Sequence, residues 1–165
     1  LVSLSGLVTI AGGKWTTYRK MAEDTIDKAA AVAGLKEQDC VTEDLRIHGW
    51  LKNVDRDDPL HLYGSDKGAI EEIIEDNPEL GEKLHERLPY LKAEVVWAVR
   101  NEMAITVEDV LSRRTRALLL DAEASIEMAP EVARLMAEEA GHDKAWQKQQ
   151  IKEYKAIADE YIFKD

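Results

Sequence analysis

The sequence predicts an all-α fold, a helical bundle of about five to seven helices, preceded by a short strand-turn-helix unit. Three observations support this prediction. Apolar residues recur at three- and four-residue steps through most of residues 65–165. Capping residues, prolines and glycines divide these segments at helix-sized intervals. Few strand-like segments are present, and the sequence has no internal repeat.

The opening stretch, GLVTIAGGKWTTYRKMAEDTIDKA, comprises residues 6–29. The letters after Gly6 are apolar or β-branched and indicate a largely buried strand. Gly12 and Gly13 then allow positive φ and close approach of the backbone. The helical pattern that follows ends at Gly34. The unit is therefore predicted to be a strand, a glycine turn and a helix.

This turn has the properties of an anion-facing helix start. Thr16 or Thr17 can offer a hydroxyl to the free amides there. The amides and the positive end of the helix dipole favour an electron-rich group, for which a phosphate, a carboxylate or a flavin carbonyl would qualify. Lys14 opposes that dipole, so an anionic neighbour would offset its cost. We therefore favour a functional Lys14 over a chance surface lysine.

One strand cannot form a sheet, and Leu1 is not an initiator methionine. We therefore expect the chain to be the carboxyl-terminal piece of a longer protein. We predict three parts: residues 1–34 as the tail of an upstream domain, 35–64 as a connector, and 65–165 as the all-helical domain. In the connector we expect apolar anchors at Leu45, Ile47, Trp50 and Leu60.

The predicted helices of the third part follow in order. Ser65 or Asp66 begins a helix that ends at Asn77, and a second short helix occupies residues 78–88. The next helix is apolar nearly all round, which indicates a central core helix. It is predicted to carry Val95, Val96, Trp97, Ala98, Val99 and Met103. Thr106 and Asp109 form a capping-box-like start for a helix with five inward residues. These are Val107, Val110, Leu111, Leu118 and Leu119.

Two more helices complete the prediction. After a turn or two beginning at Asp121, Pro130 opens a helix that Gly141 ends. The last helix follows Asp143. All four tryptophans are interpreted as core residues: Trp15, Trp50, Trp97 and Trp146.

Composition excludes several classes of function. The net charge of −11 argues against nucleic acid and against an anionic membrane surface. No apolar run has the length of a membrane span, and no signal peptide is visible. The single Cys40 excludes an internal disulfide and fits a reducing, cytoplasmic compartment. The four histidines have no spacing that predicts a metal site.

Arg113, Arg114 and Arg116 form the one basic cluster. They could grip a phosphate or the upstream domain, because guanidinium groups recognise oxyanions. We favour intramolecular ion pairs instead, because successive helical positions diverge and cannot point all three at one ligand. The expected partners are Glu94, Glu102, Glu108 or Asp109.

Three segments in order carry a family resemblance: GGKWTTYRKMAEDTIDKA, LPYLKAEVVWAVRNEMAITVEDVLSRRTRALLLDA and APEVARLMAEEAG. Together they resemble the end of the FAD-dependent (aerobic, quinone-linked) glycerol-3-phosphate dehydrogenases. The match covers most of the chain and is least specific from the end of the first helix to Leu60.

The resemblance implies a flavoenzyme whose FAD and substrate domains precede this chain. It would oxidise sn-glycerol 3-phosphate to dihydroxyacetone phosphate by hydride transfer to FAD, with electrons passing to quinone, or to oxygen in oxidase relatives. The implied FAD-binding residues are Gly12, Gly13, Lys14, Trp15, Thr16 and Thr17. Lys14 is also the implied substrate contact, and no catalytic residue is expected in this chain.

For the helical domain, the resemblance implies packing on the upstream domains, with dimer contacts or peripheral membrane docking as further roles. The isolated chain is expected to bind no FAD tightly and to be inactive. Two alternatives stay open. One is a stand-alone helical interaction module, and the other is the tail of an FAD oxidase acting on another small substrate.

Overall fold

The computed structural model describes residues 1–163, which fall into two compact units, Leu1–His48 and Gly49–Asp165. Within the described residues the secondary structure is helical, and β structure is limited to two isolated bridges. The all-α prediction is thus confirmed. The helices of the second unit also agree with the predicted number of five to seven.

The first unit contains a 3₁₀ turn, Trp15–Thr17, that leads directly into helix α1, Tyr18–Val32. The helix ends as predicted before Gly34, which has a φ of +65°. The amide of Leu35 donates to the Ala30 carbonyl at 2.9 Å. This bond satisfies a carbonyl that the last turn of the helix leaves free.

The predicted strand of the first unit is not a regular strand. It is reduced to one antiparallel bridge between Val2 and Val8, beside which the Thr9 amide donates to the Leu1 carbonyl at 2.8 Å. A regular strand needs a hydrogen-bonded neighbour along its whole length. The predicted strand has only residues 1–3 of the chain beside it. Every side chain of residues 1–48 is at least partly exposed.

The second unit holds the hydrophobic core. Helix α3 (Lys92–Asn101) packs against α5 (Ala122–Ala140), and α5 packs against α4 (Ala117–Leu120) and α6 (Lys144–Ala158). Residues 93–98 of α3 are all buried, which confirms the predicted central helix. Met103, predicted to belong to that helix, lies beyond its end with a φ of +56° and is exposed. The helices are α2 Lys67–Asp76, α3 Lys92–Asn101, α4 Ala117–Leu120, α5 Ala122–Ala140 and α6 Lys144–Ala158, with a π-helical turn at Asp109–Arg114 and 3₁₀ turns at His61–Asp66, Pro78–Gly81 and Asp159–Tyr161.

Two predictions about core residues were wrong in part. Of the four connector anchors, only Leu60 is buried, whereas Leu45, Ile47 and Trp50 are exposed. Of the tryptophans, Trp97 is buried and Trp146 packs against the core at its edge, but Trp15 and Trp50 are exposed. Sequence periodicity shows which side of a helix is apolar, but not whether an element lies beside it.

The prediction of a short helix over residues 78–88 was also wrong beyond the first turn. Asn77 accepts a hydrogen bond from the Glu79 amide, and the 3₁₀ turn ends at Gly81. The chain then forms an antiparallel bridge between Lys83 and Leu91. This hairpin supplies backbone partners that a helix of that length would otherwise provide by itself.

The capping-box-like start at Thr106 is confirmed, because the Thr106 amide donates to the Asp109 carboxylate at 3.0 Å and the Asp109 amide donates to the Thr106 hydroxyl at 3.1 Å. The single helix predicted after it is divided in two. Arg116 takes a left-handed conformation with a φ of +60°, which separates the π-helical turn from α4. Leu119 is therefore exposed instead of buried.

The predicted start of a helix at Pro130 was wrong, because α5 begins at Ala122 and continues through Pro130. Asp121 caps its first turn by accepting from the Ala124 amide at 2.9 Å. Pro130 lies on the exposed side, where water can satisfy the carbonyl that lacks its usual donor. Gly141, with a φ of +72°, ends the helix as predicted.

Candidate functional site

The turn at Gly12–Thr17 places two glycines in conformations that other residues rarely adopt. Gly12 and Gly13 have φ values of +86° and +94°. A Cβ added to Gly13 would overlap the Met21 sulfur, whereas one added to Gly12 would meet no atom within 4 Å. Both positions need glycine for the backbone conformation, and a Cβ at Gly13 would in addition displace the flexible end of the Met21 side chain.

Thr17 holds the turn closed. Its hydroxyl accepts a hydrogen bond from the Lys14 amide at 3.1 Å and donates one to the Lys14 carbonyl at 3.0 Å. The sequence predicted that Thr16 or Thr17 would cap the free amides of the next helix. This prediction was wrong, because neither threonine caps an amide of the helical segment. The Thr17 hydroxyl instead bonds to the amide of Lys14, one residue before the 3₁₀ turn.

The amides of Trp15 and Thr16 have no acceptor among the described residues. They are the first two N–H groups of a continuous helical segment that runs through α1. Such groups at a helix start carry partial positive charge and bind anions or carbonyl oxygens. The geometry therefore provides two free donors next to the glycines.

The Lys14 ammonium also has no carboxylate within ion-pair distance in residues 1–163. The nearby cations differ. Arg19 and Lys20 both contact Glu23, at 2.6 Å and 2.5 Å. The Lys20 ammonium, followed by the Arg19 guanidinium, lowers the pKa of Glu23 to about 2. Lys14 is therefore an uncompensated positive charge at the mouth of the turn.

An open cavity of about 600 Å³ lies between the turn and α1. Its volume is in the range of small-molecule and cofactor sites. The Trp15 and Tyr18 rings form part of its wall, with centroids 5.1 Å apart. Tyr18 and Met21 were not predicted as site residues. The lining residues are Ile10, Gly12, Gly13, Lys14, Trp15, Tyr18, Met21, Ala22, Thr25 and Ile26.

Two of the three arginines in the basic cluster form intramolecular ion pairs, as predicted from the sequence. Arg113 contacts Glu108 at 2.6 Å and Asp109 at 2.9 Å. Arg114 donates to the Glu102 carbonyl and lies 3.7 Å from the Glu102 carboxylate. Arg116 has no ion-pair partner among the described residues.

Cys40 is exposed, and its sulfur lies 3.5 Å from the Arg19 guanidinium. This neighbouring cation could not be predicted from local sequence, because Arg19 and Cys40 are far apart along the chain. In the described part of the chain, no group of three or more His, Cys, Asp or Glu side chains could hold a metal ion. No helix there is both long and apolar enough to cross a membrane.

Comparison with known proteins shows the family of the chain. Residues 7–148 match the family described as the C-terminal domain of alpha-glycerophosphate oxidase. A probable mitochondrial glycerol-3-phosphate dehydrogenase of Caenorhabditis elegans is 39% identical over 96% of this chain and 25% of its own length. The mitochondrial glycerol-3-phosphate dehydrogenase of Mesocricetus auratus is 37% identical over 84% of this chain and 22% of its length.

The corresponding human protein, named mitochondrial glycerol-3-phosphate dehydrogenase, is 34% identical over 91% of this chain and 23% of its own length. No solved structure matches the chain. The chain thus spans about a quarter of the length of these curated relatives. The family match covers both units and includes the whole Gly12–Thr17 turn. By its sequence, the chain belongs to the family of C-terminal domains of alpha-glycerophosphate oxidase, which glycerol-3-phosphate dehydrogenases also carry.

Proposed function

We propose that this chain is the carboxyl-terminal part of an FAD-dependent enzyme that oxidises sn-glycerol 3-phosphate to dihydroxyacetone phosphate. In this proposal, quinone is the electron acceptor and upstream domains of the same polypeptide hold most of the FAD. The observation that carries the proposal is the glycine turn, where two free amides and an unpaired lysine lie together beside an open cavity. The family membership agrees with it.

The residues of the turn fit a flavin ring. Gly12 and Gly13 have no side chains that would keep a planar ring away from the backbone. The amides of Trp15 and Thr16 are donors for a ring carbonyl, and the Thr17 hydroxyl keeps the turn in the required shape. These residues would hold the pyrimidine side of FAD.

FAD, when bound, supplies the acceptor for the hydride that leaves the substrate carbon. The chain contributes electrostatics. The Lys14 ammonium and the start of the helix stabilise negative charge on a group placed against the turn, because both present positive charge there. Lys14 has no competing carboxylate among the described residues, so its ammonium is also free to contact the phosphate or hydroxyl of the substrate.

Exposed apolar side chains of the first unit support the proposal that further domains of the same polypeptide pack on it. The unit exposes large apolar side chains, including Trp15, which is 83% exposed, and Ile26, which is 67% exposed. Such side chains are normally covered in the complete molecule. We propose that residues 1–34 complete the upstream FAD domain and that the helical domain packs on the upstream part. Dimer contacts, and a cytoplasmic location with peripheral attachment to the inner membrane face, belong to the same proposal.

Flavin retention and dye-linked oxidation of glycerol 3-phosphate test this function. We expect the full-length polypeptide to retain FAD and to oxidise the substrate, and the 165-residue chain to do neither. Turnover by the 165-residue chain would show that the catalytic groups lie within it. A full-length polypeptide that retains FAD but oxidises another small hydroxy or amino acid would overturn the substrate assignment alone.

A further inference from the structure

The Gly49–Asp165 unit contains a cavity of about 450 Å³ that is not part of the proposed flavin site. One wall is the turn over residues 56–62, and the other is the hairpin over residues 83–90. The hairpin is fixed by the Lys83–Leu91 bridge and by a 2.9 Å hydrogen bond from the Leu84 amide to the Tyr90 carbonyl. The cavity thus has one wall of defined geometry.

Two cations that line the cavity have no carboxylate partner within residues 1–163, namely Arg56 and Lys83. Five of the seven arginines of the unit form ion pairs, so Arg56 is one of two exceptions among them. Most lysines of the unit, like Lys83, have no ion-pair partner among the described residues. What distinguishes Arg56 and Lys83 is that both line the same cavity, where two cations from different walls can bind one anionic ligand.

Two further side chains add hydrogen-bonding capacity. His61 lines the cavity, and its Nδ1 lies 2.8 Å from the Asp58 carbonyl, so this nitrogen carries the proton and the ring is fixed. Tyr90 is 9% exposed, and its hydroxyl has no hydrogen-bond partner among the described residues. A tyrosine hydroxyl is protonated at neutral pH and can donate. Burial, followed by the Glu94 carboxylate, raises the pKa of Tyr90 further.

The two carboxylates at the cavity do not cancel this charge. Asp58 accepts hydrogen bonds from the Lys67 ammonium and, at 2.8 Å, from the Leu60 amide. These two donors lower the pKa of Asp58 and neutralise its charge locally. Asp57 is the remaining carboxylate of the lining, which leaves Arg56 and Lys83 as two cations against one anion.

We propose that this cavity binds a phosphate monoester, with Arg56 and Lys83 as charge partners and the Tyr90 hydroxyl as a further donor. Phosphate suits the site better than a carboxylate, because its three terminal oxygens can meet donors that come from two different walls. The body attached to the phosphate would contact Leu62 and Pro89, the apolar residues at the rim. The source of the phosphate is a soluble monoester or a lipid headgroup.

Titration of the 165-residue chain with inorganic phosphate and with phenyl phosphate, followed by calorimetry, tests the proposal. We expect phenyl phosphate to bind more tightly, because it adds an apolar contact. Lys83→Gln and Arg56→Gln should each weaken binding by about tenfold or more, which is typical for the loss of a charged hydrogen bond. Cosedimentation with vesicles of phosphatidylcholine, with and without phosphatidic acid, identifies a lipid source.

Lys152→Gln is the matched control, since it removes an exposed lysine from α6 of the same unit. Both lysine variants change net charge equally, so a general charge effect would weaken binding in both. Circular dichroism spectra should show that all variants stay folded. Equal effects of the two lysine variants, or no binding of phenyl phosphate and no sedimentation with phosphatidic acid, would overturn the proposal.

Discussion

Glu94 should make the stability of the helical unit depend strongly on pH. Its carboxyl group is 4% exposed, at the start of α3. One oxygen accepts from the Tyr63 hydroxyl at 3.0 Å and the other from the Leu91 amide at 2.5 Å. Burial raises its pKa to about 7, with the Glu102 carboxylate adding to the rise, while the two hydrogen bonds act against it.

The direction of this pH dependence follows from the linkage between proton binding and folding. The pKa of Glu94 is higher in the folded protein than its usual 4.5, so the folded protein binds more protons than the unfolded chain between these two values. Stability is therefore greatest below about pH 4.5 and falls as pH rises through about 7. The whole difference corresponds to on the order of 3 kcal/mol, most of which is lost between about pH 5 and pH 8.

Glu94→Gln removes this titration but keeps an oxygen acceptor. Urea denaturation, followed by circular dichroism at several pH values between about 5 and 8, gives the free energy of unfolding. The wild type should lose on the order of 2 to 3 kcal/mol more than the variant over this range. The control Glu86→Gln removes an exposed carboxylate of the same unit and should follow the wild type. Parallel curves for Glu94→Gln and wild type would refute the reasoning.

Two further substitutions test local structure. In the full-length enzyme, Gly13→Ala should reduce FAD retention more than Gly12→Ala, because both variants strain a positive φ but only the first displaces Met21; equal losses in a flavin fluorescence assay would contradict the space requirement at Gly13. Asp143→Ala should lower the free energy of unfolding by about 1 kcal/mol, because it removes the acceptor for the Trp146 amide at the start of α6; unchanged urea denaturation would show that water replaces this cap.

The sequence predicted the helical class and the main core well, because these follow from local patterns. The capping residues at Thr106 and Asp143 and the stop at Gly141 depend on neighbours within four positions. The breaks depend on tertiary contacts instead. Nothing local predicts the left-handed Arg116 that divides one expected helix, nor the continuation of α5 through Pro130.

The candidate site shows the same distinction. Gly12, Gly13 and Thr17 were predicted from turn chemistry, and the structure gives each a specific conformation or hydrogen bond. The contribution of Met21 could not be predicted, because it depends on the path of the turn across α1. The exposure of Trp15 could not be predicted either, since periodicity does not show whether an apolar face is covered within the same chain.

The charge of Lys14 beside the flavin is the central claim, and the reduction potential of FAD in the full-length enzyme tests it most directly. Lys14→Ala should shift the potential to more negative values, because it removes a positive charge that stabilises the reduced cofactor. Lys36→Ala, which removes an exposed lysine of the same unit, should leave the potential unchanged. An equal potential in wild type and Lys14→Ala would contradict the account.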